Sequence, residues 1–306
     1  MDAHDVPVLT ADDPEGLRAR RDSLTDALTE HGAVIVRGLD FDGPASFAAC
    51  AAAVTDDLIP EREGFAPRDV HSGHVYSSTH WPSNQPMCLH HEMSHARQVP
   101  TKLVLGYLRP ADTGGATGLA DAAAVLDALP AELVDRFARH GWRLSRTYQP
   151  LLGTQWSDAF GTTDRAEVDR YCAANDIDHI WLNDGGLRTT QVRPAVMKHP
   201  GTGTPCWFNQ IAFLNEHTMD PAVRDYLISE LGPDGLPFTT SAGDGSPVTP
   251  QDVDVINQVY EDLTVHPSLR AGDLMVVDNI RSAHSREAYT GDRDVLVALG
   301  DPVRHG

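Results

Sequence analysis

Three imidazoles and one carboxylate fall within six consecutive positions, His90-His91-Glu92-Met93-Ser94-His95, a composition suited to holding a metal ion. On a β-strand, side chains alternate between faces, so His90 and Glu92 would share a face and His91 would point away. Such a pair supplies two of the three ligands of a 2-His-1-carboxylate triad, which leaves open positions on a non-haem Fe(II). On a helix, His91-Glu92-Met93-Ser94-His95 would instead match the H-E-x-x-H pattern of zinc hydrolases. There two histidines one turn apart bind Zn(II) and the glutamate is the general base. A polar turn that binds nothing is the third possibility.

Each metal arrangement needs a further ligand. For iron this is a second histidine far downstream, at the end of a strand. Gly272-Asp273-Leu274-Met275-Val276-Val277-Asp278-Asn279 reads as a turn feeding an apolar strand, and His284 follows. Arg286 comes next, then a turn at Gly291-Asp292, then Arg293 opening the last strand. An arginine on a strand antiparallel to the histidine-bearing one would reach the same interior, and its planar fork suits bidentate capture of a carboxylate. For zinc the window must be helical, yet Pro86 and Pro100 bracket it closely. Gln98 and Thr101 stand where the extended zinc-protease pattern has Gly and His. A distant glutamate ligand would still complete a zinc site.

The elements that must position these groups are short. Helical spacing is expected over residues 13–30, 45–54, 121–139 (restarted at Pro130), 165–175, 221–231 and 251–263. Strands are expected at 33–36, 102–108, 187–197, 205–213, 274–277 and 294–299, with strand and loop over 70–79. Short apolar pieces and turns alternate over 142–160, and 233–249 is a Gly/Pro/Ser-rich loop. Short strands interleaved with helices predict a mainly β chain, a sandwich or jelly roll carrying helices. No G-x-G-x-x-G follows a strand, no Walker A loop is present, and no repeat is visible.

Composition narrows the partners. A net charge of −20 without a basic cluster argues against binding nucleic acid or anionic membranes, but not against a small anion gripped by one or two buried arginines. Four scattered cysteines (Cys50, Cys88, Cys172, Cys206) form no C-x-x-C pair, which argues against a disulfide framework or a cysteine zinc site. The acidic N-terminus lacks an apolar signal region and no apolar run approaches membrane-spanning length, so a cytoplasmic setting is expected.

Taken in chain order, several short motifs resemble the taurine dioxygenase/clavaminate synthase-like family of Fe(II)- and 2-oxoglutarate-dependent oxygenases. The closest pattern is the branch similar to the syringomycin-type aspartyl hydroxylase. The motifs run from His31-Gly-Ala-Val-Ile-Val-Arg-Gly38 and His90-x-Glu-Met-Ser94 to Gly114-Gly-Ala-Thr117 and Trp156-x-x-x-Phe160. Trp207-Phe-Asn-Gln210, Gly243-Asp-Gly245, Gly272-Asp-x-x-x-x-Asp-Asn279, His284-x-Arg286 and Gly291-x-Arg293 complete the series.

The resemblance implies a double-stranded β-helix (jelly-roll, cupin-like) core in one domain over residues 1–306, with helical insertions at about 118–180 and 215–265. It implies His90, Glu92 and His284 as iron ligands, and Arg293 on the distal carboxylate of 2-oxoglutarate with Thr117 assisting. Asp294 follows Arg293 where the family often has a basic or apolar residue, so Arg286 competes for that role. His91 replaces a frequent Asn. Trp207 fits core packing as well as a pocket wall, whereas Asn209 and Gln210, on an expected inner strand, are candidates for contacting substrate. The expected reaction is O₂-dependent hydroxylation of a C–H bond in a small polar, amino-acid-like molecule, free or carried by a carrier protein. Desaturation, epoxidation and cyclisation fit the same site. Chlorination does not, because halogenating relatives carry a small residue where this chain has Glu92.

Overall fold

Four strands of this chain, Ala33–Arg37, Gln98–Arg109, Leu274–Asp278 and Asp294–Arg304, are apolar on both faces over much of their length, as strands covered on both sides must be. The computed structural model describes residues 6–150 and 153–305. In it these strands form the middle of a six-stranded sheet, flanked by Val8–Thr10 at one edge and Val75–Ser77 at the other. All pairings are antiparallel except that of Val8–Thr10 with Ala33–Arg37.

Alternation sorts the side chains. Val34, Val36, Val104, Leu274, Val276, Leu296 and Ala298 face outward and pack on Leu17, Leu24, Leu28 and Phe47 of the N-terminal helices. Their neighbours Ile35, Leu103, Leu105, Met275, Val277, Val295 and Val297 face inward. The expected helix over 13–30 is two, Pro14–Ala19 and Arg21–His31, broken at Arg20. Asp13 caps the first, accepting a 2.7 Å hydrogen bond from Gly16 N.

A smaller three-stranded sheet, ordered Met87–His90, Ser282–Arg286, Leu119–Asp121, faces the inner side of the large one and completes the jelly roll. The expected insertions carry helices, Ala122–Ala128, Ala131–His140, Arg165–Ala174, Pro221–Leu231 and Pro250–Leu263 among them. Together with Leu187–Arg193, part of the strand expected over 187–197, they also build a sheet that was not anticipated, ordered Phe238–Ala242, Trp142–Tyr148, Leu187–Arg193, Asp178–Trp181. Phe238–Ala242 is thus a strand inside the expected 233–249 loop. Leu151 and Leu152, within the 142–160 stretch, lie outside the described residues. Trp142, Leu144 and Ala242 of this sheet share a core with Leu89 and Ala283 behind the small jelly-roll sheet.

Two further expectations are corrected. The strand expected over 205–213 ends at Trp207, so Asn209 and Gln210 sit in irregular chain. Arg293 precedes a strand of the large sheet while His284 lies on the small one, so the two face each other across the interior and are not strand neighbours. No helix is long and apolar enough to cross a membrane among the described residues.

Candidate active site

The histidine window is a strand only as far as His90. There His90 pairs directly with His284 in antiparallel register, bringing the two rings to 4.3 Å between centroids. Glu92 reaches the same place through a turn in which Met93 adopts φ +55°, so strand alternation is not what aligns it. Asn279 does that work. Its Oδ1 accepts from Glu92 N at 2.8 Å, and its Nδ2 donates to Glu92 O at 2.9 Å and to Pro100 O at 2.8 Å.

The result is a convergence of His90, Glu92 and His284, with ligand atoms all within 4.8 Å of one another. His90 Nδ1 donates to Cys88 O at 2.8 Å, since a carbonyl can only accept, and this turns the lone pair of Nε2 inward. That Nε2 is buried without a protein partner. Burial, reinforced by His284, lowers His90 to about 3, which keeps the imidazole neutral. Burial alone would raise Glu92, but Arg68 and then the two histidines bring it below the usual carboxylate range. Two imidazoles, an ionised carboxylate and an orphaned nitrogen suit a divalent cation of borderline softness.

The rest of the pocket lies between the sheets. Leu103, Leu105, Val295 and Val297 form its floor, and Ser78, Thr79, Met87 and Ser285 line its other sides. Arg293 and Thr117 occupy one wall. Thr117 Oγ1 is 2.6 Å from Tyr107 Oη, whose ring lies 5.9 Å from the Arg293 guanidinium, and Arg293 Nε is buried without a partner. Gly114 (φ +70°) and Gly115 (φ +69°) let this segment close on Ala288 and Tyr289; a Cβ on Gly114 would stand 2.2 Å from Ala288 O. Arg286 also touches the pocket, but its guanidinium is spent on backbone carbonyls of Trp81, Pro82 and Gln85. It ties down the loop over the site through its two terminal nitrogens, whereas its Nε, like that of Arg293, is buried without a partner.

Other expected residues fall elsewhere. Trp207 is buried against Phe137, ring centroids 5.8 Å apart. Asn209 shapes its own turn, donating to Ala195 O and accepting from Ile211 N. Gln210 Oε1 accepts from His95 Nδ1 at 2.9 Å. None of the three lines the pocket between the sheets. His91 Nδ1 donates to Asn279 O and its ring packs on Phe208, so His91 and His95 do not join Glu92 in a metal site and the window has no helix.

Sequence reading missed Arg68 and Glu61, isolated charges in irregular chain. Arg68 Nη2 donates to Glu92 Oε1 at 2.8 Å, and its Nε lies 2.9 Å from Glu61 Oε2. Burial pushes Glu61 up to about 7, Arg68 pulling against it and Glu92 adding to it. Asn279 was visible within a motif, although nothing in its type announced the role.

Residues 6–299 match the family described as taurine catabolism dioxygenase TauD, TfdA family. Dapdiamide synthesis protein DdaC of Enterobacter agglomerans is 31% identical over 280 residues, covering 92% of this chain and 85% of that protein. A clavaminate synthase-like protein of Arabidopsis thaliana is 25% identical over 293 residues, covering 92% and 86%. PvcB of Pseudomonas aeruginosa shares the fold with a TM-score of 0.52 at 14% identity, over 93% of this chain and 82% of PvcB. AAD-2, solved with Mn(II) and N-oxalylglycine, does so with a TM-score of 0.51 at 14% identity, over 97% and 94%. The chain therefore belongs to the TauD/TfdA family, and it is a non-haem dioxygenase that uses Fe(II), 2-oxoglutarate and O₂.

Proposed function

We propose that this dioxygenase hydroxylates an unactivated C–H bond of a small polar, amino-acid-like substrate, free or presented on a carrier protein, in the assembly of a specialised metabolite. His90, Glu92 and His284 hold the iron, and Arg293, assisted by Thr117, binds the distal carboxylate of 2-oxoglutarate. The observation that carries the reading is the placement of three converging ligand atoms at one side of a pocket whose other wall holds Arg293, half-buried, with its Nε buried and unpartnered. A relative named for dapdiamide synthesis supports a role in the assembly of a specialised metabolite.

When bound, iron and 2-oxoglutarate together activate O₂, one oxygen atom ending in succinate and the other in the product. The chain's own residues bind, orient and shield. His90, Glu92 and His284 would hold the iron and leave room on it for the 2-oxoacid and O₂. Arg293 would hold the cosubstrate by its far carboxylate and so set the direction in which its 2-oxoacid end points. Leu103, Leu105, Val295 and Val297 keep bulk water from the reacting groups. Ser78, Thr79 and Ser285 offer hydroxyls to a polar substrate, whose position selects the C–H bond that reacts.

The test is a screen of amino-acid-like substrates for stimulated succinate formation, followed by mass spectrometry of product made under ¹⁸O₂ in chloride buffer. One labelled oxygen in the product is expected. A chlorinated product, or an unlabelled one without a new double bond or ring, overturns hydroxylation; a label-free product with such a bond or ring moves the reaction to desaturation or cyclisation.

A further inference from the structure

The two oxygens of Glu92 have separate surroundings. Oε2 faces the histidines, 3.5 Å from His284 Nε2 and 4.0 Å from His90 Nε2. Oε1 accepts from Arg68 Nη2 at 2.8 Å. Arg68 is buried, with 6% of its side chain exposed, and its Nε lies 2.9 Å from Glu61 Oε2, an ion pair without hydrogen-bond alignment.

This arrangement is built into the chain around it. His80 N donates to Pro67 O, Ser77 N to Asp69 O and His71 N to Val75 O, so the segment bearing Arg68 is laced to the edge strand Val75–Ser77. Glu61 is fixed from the same edge, its N–H donating to Tyr76 Oη at 2.9 Å. A guanidinium delivered to a buried carboxylate by such a frame is a fixed partner and not a solvent-side ion pair.

A carboxylate can meet a cation through one oxygen or both. Bidentate binding by Glu92 would consume one of the positions that 2-oxoglutarate and O₂ need. An arginine alone on Oε1 would prevent that, but it would also place a second buried cation beside the metal and weaken its hold. Glu61 answers this difficulty. Its carboxylate lies 2.9 Å from Arg68 Nε and balances the guanidinium.

We propose that Arg68 and Glu61 act as a charge-balanced positioning pair, in which Arg68 holds Oε1 of Glu92 so that only Oε2 meets the metal, and Glu61 cancels the charge that Arg68 brings. This rests on the assignment of His90, Glu92 and His284 as ligands.

The pair predicts opposite signs for two substitutions, read by titrating the full chain with Co(II) and following its visible absorption. Glu61→Gln leaves Arg68 uncompensated and should weaken Co(II) binding about 10-fold or more, the size typical of groups that orient metal ligands. Arg68→Met removes the competing cation and should leave Co(II) affinity equal or higher. It should also change the absorption spectrum and lower the affinity of the Co(II)-loaded protein for 2-oxoglutarate about 10-fold, because Glu92 can now take a second position. Arg68→Lys should restore part of that affinity.

Equal weakening in both variants would mean that the pair only supports the fold, and no change in either would mean that it does nothing for the metal. Either result overturns the proposal. Should Arg68→Met fail to fold, Glu61→Gln decides alone, and wild-type affinity there overturns the proposal. His284→Ala separates this from failure of the ligand assignment: Co(II) binding that survives His284→Ala refutes the assignment itself.

Discussion

Two buried polar clusters grow from the same six-residue window, and they use like residues in opposite ways. In the first, His90, Glu92 and His284 turn their ligand atoms toward one another across a pocket. In the second, His95 bonds to Gln210, while its carbonyl accepts from Gln191 and Arg193. Gln191 in turn donates to buried Glu63, which also accepts from Tyr171. Burial lowers His95 as it lowers His90, so neither desolvation nor residue type separates the clusters. What separates them is direction. In the first cluster the atoms converge on open space; in the second most are consumed by neighbours in packed chain, and the spare nitrogen of His95 meets no two further ligands among the described residues.

The strongest way to break this contrast is to remove a converging ligand. His90→Ala and His284→Ala should each lower Co(II) affinity by orders of magnitude and abolish turnover, as measured by titration and by succinate formation. His95→Ala and His91→Ala should keep Co(II) affinity within a few-fold of wild type; loss of metal in these two with His90→Ala unaffected would invert the assignment.

Next in size is the cosubstrate wall. Arg293→Ala leaves a bound carboxylate unpaired in a buried site, a cost of about 3 kcal/mol. The 2-oxoglutarate requirement should therefore rise about 100-fold. Arg286→Ala should change it far less and should instead speed hydrogen exchange or proteolysis over residues 81–85, whose carbonyls it holds. The reverse ranking would exchange the two arginines.

The second cluster should show itself in stability. His95→Ala opens a cavity and strands Gln210, costing about 2–3 kcal/mol of folding free energy, visible as a lower Tm with the metal site intact.

The smallest effect concerns His305, buried beside Phe208 with neither ring nitrogen bonded to a side chain. Burial foremost, with Arg193 adding to it, lowers this imidazole to about 4, so the folded protein resists a proton that the unfolded chain accepts at its ordinary value. Its contribution is whole above the unfolded pKa and is lost as pH falls from about 6.5 toward 4. Between pH 7.5 and 5.5 the loss should be about 1 kcal/mol. His305→Asn should flatten the fall of Tm over that range by this amount, and an unchanged slope would show that His305 accepts its proton in place.

Much was legible before folding because local chemistry sets it. Apolar runs flanked by turns marked the central strands, since strands covered on both faces must be continuously apolar. His90, Glu92, His284 and Arg293 stood out through residue type and order along the chain. Even so, the reason first given for His90 and Glu92 facing the same way was incomplete: alternation stops at His90, and a side chain from 187 positions downstream completes the alignment.

What the sequence by itself determined, then, was the set of groups able to bind a metal and an anion, together with the periodicities that make strands and helices. Only the tertiary structure decided which groups meet. It made His90 and His284 register partners, turned His91 and His95 into packed chain and spent Arg286 on loop carbonyls. It also brought Arg68 and Glu61 to Glu92. The physical reason is range. Alternation and capping act over a few residues, whereas a buried ion pair or an orphaned nitrogen exists only once distant segments have excluded water around it.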